Sequence, residues 1–287
     1  MRLSIITVSW NVEKKLEESL RAIFSSTGLT PDEFEVIVID NHSKDKTVEM
    51  IKRKFLRVNL IANKKNLGFA KANNQGIGQA HGQYILLLNP DMLVRSDTLR
   101  KMIDWMEKNP QASVAGCHLQ NEKGETIKHV RNFPTLWDQA AIILKLPHIF
   151  PNILKKYIPE DFDYNKAAKV DSIRGGFFMV RAKRHIPFWL DERYFIWFEE
   201  VDFCLQIKNI GEEVWYTPVA ECTDYVGQSF NQVNSLKKQK YFRDSMLKYF
   251  KKWHPSWQYW LLRFLWPIGF LLTCIAENLR FKSRGKT

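Results

Sequence analysis

Short apolar runs alternate with amphipathic stretches through the first 120 residues, and the alternation predicts strands and helices in turn. Residues 3–10 (LSIITVSW) are nearly all apolar, the pattern of a strand covered on both faces. Leu16, Leu20, Ile23 and Phe24 then recur at helical spacing, which predicts a helix over 12–25 with Asn11 as its cap. The same reasoning predicts strands over 34–40, 58–62, 84–89 and 114–118. Helices are expected over 46–55 and 70–80, the latter ended by Gly82, and from a Ser96 or Asp97 cap to residue 108, ahead of Pro110. Such an order implies an α/β fold: a doubly wound, mainly parallel sheet with flanking helices.

The pattern loosens over 119–170, where Pro134, Pro147, Pro151 and Pro159 interrupt aromatic and apolar residues. A long insertion with short helices, suited to a mobile acceptor loop, is expected there. Regularity returns in a strand over 172–181 carrying Gly175-Gly176, a helix over 200–211 closed by Gly211, and a short strand over 213–218. The expected organisation is a domain over 1–236, in halves of about 1–118 and 119–236, followed by a tail over 237–287. The N-terminal apolar run is one strand long and ends at Ser9 and Asn11 without a small-residue cleavage site, so it reads as a strand and not as a signal peptide.

Charge sets the tail apart. The chain of 287 residues carries a formal +12, and residues 237–287 hold twelve Lys/Arg against Asp244 and Glu277, leaving +2 for the rest. Residues 257–276 (WQYWLLRFLWPIGFLLTCIA) contain one charge, Arg263, with Lys251 and Lys252 before them and Arg280, Lys282, Arg284 and Lys286 after. Length permits a membrane span. Pro267, Gly269, Arg263 and the clustered aromatics fit an interfacial segment better, on an anionic membrane surface; a true span and a helix packed on the domain are the alternatives. Nothing in 1–236 supplies a basic groove for nucleic acid. The scattered cysteines Cys117, Cys204, Cys222 and Cys274 lack C-x-x-C spacing and read as reduced thiols of a cytoplasmic chain, peripheral or monotopic at the inner membrane face.

Candidate chemistry sits where apolar strands end in acids. Asp40 closes FEVIVID, Asp91 follows YILLLNP, and Glu199, Glu200 and Asp202 follow the aromatic FIWF. Ligands of open α/β sheets bind beyond the carboxyl ends of the strands. Asp40 can accept hydrogen bonds from a nucleobase or ribose; a capped turn is the plainer reading. Asn66 and Gly68 lead into a helix, and Gly68 lets backbone N–H groups approach a phosphate or sugar. Asn89-Pro90-Asp91 suits Mg²⁺ or Mn²⁺, hard cations that complete their shells with water and substrate phosphates. Among Glu199, Glu200 and Asp202, one acid faces the crevice as general base while another stabilises the helix N-terminus, and Phe195, Trp197 and Phe198 raise the base's pKa by excluding water. Gly175 and Gly176 let the backbone pass close to a sugar or acceptor, or else form a bulge. Gly76, Gly78 and Gly82 are off by one from the dinucleotide fingerprint and lie within a helix, which argues against a cofactor loop.

In their order and spacing, DNHSKDKT, NKKNLGFAKANNQGI, YILLLNPD, RGGFFMVR and FIWFEEVDFCLQIKNIG resemble the family 2 glycosyltransferases over roughly residues 1–230. The resemblance implies a GT-A fold and metal-dependent, inverting transfer from a nucleotide-sugar, with a rhamnosyltransferase-like branch of surface-polysaccharide synthesis, and hence dTDP-rhamnose, as the candidate donor class. It assigns Asp40 to the base or ribose, Asp91 to the last acid of an Asp-x-Asp element reduced here to Asn-x-Asp, and Glu200 to the catalytic base, with Glu199 the competitor. Asp202, Gly175 and Gly176 are placed on the acceptor side. Asp224 stands where relatives often carry a His near metal and diphosphate, so it becomes a second candidate metal ligand. The implied acceptor is a saccharide or lipid-linked saccharide. The rival readings are a nucleotidyltransferase, which would need a Gly-rich loop where SWNVEKKLEESL stands, and a non-catalytic membrane- or nucleic-acid-binding protein.

Overall fold

The computed structural model describes residues 1–182, 189–225 and 232–284, with side chains described as far as Cys274. Eleven strands appear among these residues: β1 Leu3–Ser9, β2 Phe34–Asp40, β3 Val58–Ala62, β4 Tyr84–Leu88, β5 Met92–Val94, β6 Ala112–Gln120, β7 Val130–Arg131, β8 Ala168–Val170, β9 Ser172–Ile173, β10 Phe177–Arg181 and β11 Glu213–Asp224. The helices are α1 Glu13–Phe24, α2 Thr47–Lys54, α3 Phe69–Ile77, α4 Thr98–Lys108, α5 Leu136–Ile143, α6 Glu199–Asn209, and the two we number α7 (Ser235–Trp253) and α8 (Ser256–Arg284).

The main sheet runs β3-β2-β1-β4-β10-β6-β11-β5, with β8 beside β11. Strands β1 to β4 pair in parallel, whereas β10 inserts antiparallel between β4 and β6. Alternating side chains feed two cores: Leu3, Ile5, Val36 and Val38 face α1, α2 and α4, while Ile6, Val8, Ile37 and Ile39 face α3 and α6. The chain leaves β1 outward to β2 and β3, then crosses back to β4 on the other side of β1. That reversal opens a crevice at the strands' carboxyl ends.

Several local expectations change. The strand expected over 172–181 is broken at Arg174-Gly175-Gly176 into β9 and β10. β11 extends well past 218 because its far half pairs with β6 and β5, and β5 itself was too short to carry a periodic signal. Asn11 does not cap α1: its backbone is left-handed (φ 53°), and its Oδ1 accepts from Lys44 N–H instead. Nor does Gly82 end α3, which stops at Ile77; a Cβ at Gly82 would sit 2.5 Å from the backbone nitrogen of Ser4, so the glycine permits close chain approach. Gly76 likewise lets α3 press on Ile6 and Ile39.

The boundary expected at 236 falls in the first turn of α7. With α5, helices α7 and α8 form a third core that includes Ile143, Met246, Tyr249, Phe250, Leu262 and Trp266. Gly269 lets α8 approach α5 closely, since a Cβ there would lie 2.4 Å from the carbonyl oxygen of Ile143. The opposite face of α8 exposes Trp257, Trp260, Phe264, Ile268 and Leu271, a stripe at helical spacing. Among the described residues no helix is long and apolar enough to cross a membrane. The basic flank Arg280, Lys282, Arg284 and Lys286 lies outside the described side chains.

Candidate active site

A cavity of about 630 Å³ opens at the crevice. Val8 and Trp10 end β1 there, Asn41 follows β2, and Asn89-Pro90-Asp91 follow β4. Arg174-Gly175-Gly176, the break between β9 and β10, forms another side. Glu199 and Glu200 enter from the first turn of α6, Asp224 from the end of β11, and Lys237, Lys238 and Tyr241 from α7.

Sheet register explains why Asp91 and Asp224 meet. Asp224 pairs with Met92, and the Tyr225 N–H donates to the Asp91 carbonyl at 3.1 Å, so two residues 133 positions apart share one lip. Both are largely buried, and Asp224 has the Arg174 guanidinium 3.8 Å away. The Asn89 N–H donates to the Gly176 carbonyl, which ties this lip to the glycine pair.

Trp197 (φ 66°) and Phe198 (φ 72°) are consecutive left-handed residues leading into α6. Non-glycine residues hold that conformation only where the surroundings impose it. Here Phe198 is buried in the third core, and the turn throws both glutamates inward at the helix N-terminus. Burial raises Glu199 well above the usual carboxylate range, with the charge of Glu200 adding to it. Burial also raises Glu200, opposed by backbone N–H groups, including that of Gly175, and by Arg174. The Gly175 N–H donates to Glu200 Oε1 at 3.2 Å, while Oε2 of each glutamate is sealed without a hydrogen-bond partner. Burial, with the charge of Glu200 beside Glu199, thus favours a proton held within the pair.

Asp40 stands one residue behind the cavity wall, which Asn41 forms in its place. Its Oδ2 accepts from Ser43 N–H at 3.0 Å, and its buried Oδ1 has no hydrogen-bond partner. Buried polar atoms are normally satisfied, so an orphaned carboxylate oxygen beside a cavity fits a donor brought by a ligand. Asn66 and Gly68 do line the cavity, but their local roles differ from the expectation. Gly68 has φ 87°, and a Cβ on it would lie 2.5 Å from the Phe195 carbonyl oxygen; the glycine is needed for chain packing. Asn41 binds this loop through Asn66 Oδ1 at 3.0 Å and the Gly68 carbonyl at 3.1 Å.

Asp202 is the clear correction. It is fully buried and does not line the cavity. Its carboxylate accepts from Lys252 Nζ at 2.7 Å, Trp253 Nε1 at 2.6 Å, Gln206 Nε2 at 2.7 Å and the Tyr194 hydroxyl at 3.2 Å. Two residues along a helix from Glu200, it points away by about 200°. It clamps α6 to the end of α7, away from the cavity.

Sequence reasoning missed Trp10, Asn41 and the α7 residues. Lys237 and Tyr241 share a helix face, a signal present in the chain, yet they were grouped with the tail. Tyr241 stacks on Phe195 with centroids 4.6 Å apart and closes one wall. For a metal, Asp91 and Asp224 offer two hard carboxylates; among the described residues no group of three or more His, Cys, Asp or Glu could form a full protein cage. Such a site fits Mg²⁺ or Mn²⁺ sharing its shell with substrate phosphates and water.

The family model described as Glycosyl transferase family 2 matches residues 4–183. The rhamnosyltransferase WbbL of Escherichia coli is 26% identical over 219 residues, 73% of this chain and 79% of that protein. An uncharacterized glycosyltransferase of Haemophilus influenzae is 31% identical over 121 residues, 41% of this chain, which spans about a third (36%) of that relative's length. The mannosyltransferase PcManGT from Pyrobaculum calidifontis, solved with GDP-Man and Mn²⁺, has a similar fold: TM-score 0.59 at 16% identity, covering 99% of this chain and 79% of that one.

Proposed function

The chain belongs to the family 2 glycosyltransferases, and from that membership we propose that it transfers a sugar, with inversion, from a nucleoside-diphosphate sugar to a saccharide or lipid-linked saccharide hydroxyl. The observation that carries the reading is the convergence of Glu200, Asp91 and Asp224 on one cavity. Glu200 takes the proton from the acceptor hydroxyl as that oxygen attacks the anomeric carbon. Gly175 orients the carboxylate through its N–H. Asp91 and Asp224 would hold a divalent metal, which when bound offsets charge on the departing diphosphate. Asn41, and Asp40 behind it through its orphaned Oδ1, would meet the nucleoside, with Trp10 lining the same cavity. Similarity to a rhamnosyltransferase supports a rhamnose donor such as dTDP-rhamnose, and relatives in teichoic acid and succinoglycan biosynthesis support a place in cell-surface polysaccharide synthesis.

The exposed apolar stripe of α8 supports attachment to the membrane surface on which a lipid-linked acceptor resides, with the chain on the cytoplasmic side. The core over 1–236 with α7 then carries transfer, and α8 carries attachment.

A panel of nucleotide-sugars tested for binding and slow hydrolysis, with and without Mg²⁺ or Mn²⁺, checks the reading. We expect one donor class to bind in a metal-dependent way, and Glu200→Gln to keep that binding while losing transfer by at least about a hundredfold. Full transfer by the variant refutes the base; no binding across the panel refutes the donor class.

A further inference from the structure

We propose that the segment between α5 and β8 is a second membrane contact, in which Ile149, Phe150 and Ile153 enter the acyl boundary and Lys145, Lys155 and Lys156 meet anionic lipid headgroups. The inference deepens, and rests on, the attachment proposed above for α8. Ile149 is 69% exposed, Phe150 57% and Ile153 39%. Large apolar side chains clustered in five residues of surface are uncommon without a partner. They are not on a slack loop. Two short 3-10 turns, Leu146–His148 and Pro151–Leu154, hold them, with the Phe150 N–H donating to the Leu146 carbonyl at 2.7 Å and the Ile153 N–H to the Phe150 carbonyl at 3.1 Å.

Charge and position identify the occupant. From residue 144 to 156 there are three lysines and no acid; the nearest acid, Glu160, pairs with Lys155 at 3.5 Å. Lysines bracketing an apolar tip suit a bilayer interface, where stems lie along lipid and ammonium groups reach phosphate. The segment begins directly after Ile143, against which Gly269 of α8 packs. Ile268 and Phe270, on either side of Gly269, are both exposed. Along α8, Trp257, Tyr259 and Trp260 are the aromatic types favoured at headgroup level.

Co-sedimentation of the full chain with vesicles of equal phosphatidylglycerol and phosphatidylcholine, and of phosphatidylcholine alone, tests this. Two paired variants separate the surfaces: Ile149→Asp with Phe150→Asp, and Trp260→Asp with Phe264→Asp. Both pairs are solvent-facing, so thermal melting should match the parent chain. We expect each pair to lower partitioning onto the anionic vesicles by about tenfold or more, and Lys155→Gln with Lys156→Gln to lower it about fivefold there while leaving the neutral vesicles unaffected. Parent-like partitioning of the Ile149/Phe150 pair, with release of the Trp260/Phe264 pair, overturns the second contact and leaves α8 attachment standing. Failure of the parent chain to partition overturns both. Lipid-independent dimers dissolved by the Ile149/Phe150 pair would assign the patch to a second copy of the chain instead.

Discussion

At Gly175 the missing side chain brings the backbone N–H to Glu200. A Cβ built there would lie 3.1 Å from Glu200 Oε1, tighter than ordinary contact, and the backbone itself would accept alanine. Gly175→Ala should therefore push the carboxylate off its bearing without disturbing the fold. We expect kcat to fall about tenfold with the donor KM little changed, because small misplacements of a catalytic group are costly; steady-state kinetics against donor concentration checks this. Two features at this scale were readable from residue type alone: acids after three apolar runs, and paired glycines beside an arginine. That Gly175 serves the base was not readable, since the contact joins residues 25 apart across two elements.

Helix α7 connects the cavity to the turn that carries the catalytic acids. Its first turns place Lys237, Lys238 and Tyr241 on the cavity, and its end delivers Lys252 and Trp253 to Asp202 beneath the catalytic turn. Lys252→Met would leave the buried Asp202 charge without its cation. Loss of one partner of a buried pair costs about 3 kcal/mol or more, so the urea midpoint should fall, while Lys251→Met, at a solvent-facing position, should leave it unchanged. A parent-like midpoint for Lys252→Met would show that the clamp contributes little. Local sequence did not show which way this region packs. The helical run over 237–253 reads as a basic tail because its lysines dominate, whereas Met246, Tyr249 and Phe250 bury it in the third core.

At the scale of the molecule, the buried Glu199–Glu200 pair makes stability depend on pH. Both groups are raised in the folded chain, chiefly by burial. Below the unfolded carboxylate range both states hold these protons, and the contribution is complete. Between the unfolded value and the raised folded value the folded state binds more protons, so stability falls as pH rises through that window and then levels. Glu199→Gln, which needs no proton to stay neutral, should flatten the decline; melting temperatures from about pH 4 to about pH 9 at constant ionic strength measure it. An unaltered slope in the variant would count against Glu199 as the proton holder. The pH profile of transfer should share the shift, with the acid limb lying above the ordinary glutamate range because Glu200 acts deprotonated.

Apart from β5, the order of strands and helices to residue 118 follows from local pattern, because a strand buried on both faces must be apolar and a helix packed on one face must repeat its apolar positions. The acids at strand ends were likewise visible, as was the apolar run of α8. Long-range pairing settled the rest. The antiparallel insertion of β10, the meeting of Asp91 with Asp224, the retreat of Asp40 behind Asn41 and the capture of Asp202 by α7 all depend on which elements become neighbours in space. Local pattern records whether a side chain is buried; the partner that buries it is chosen by the packing of the whole chain.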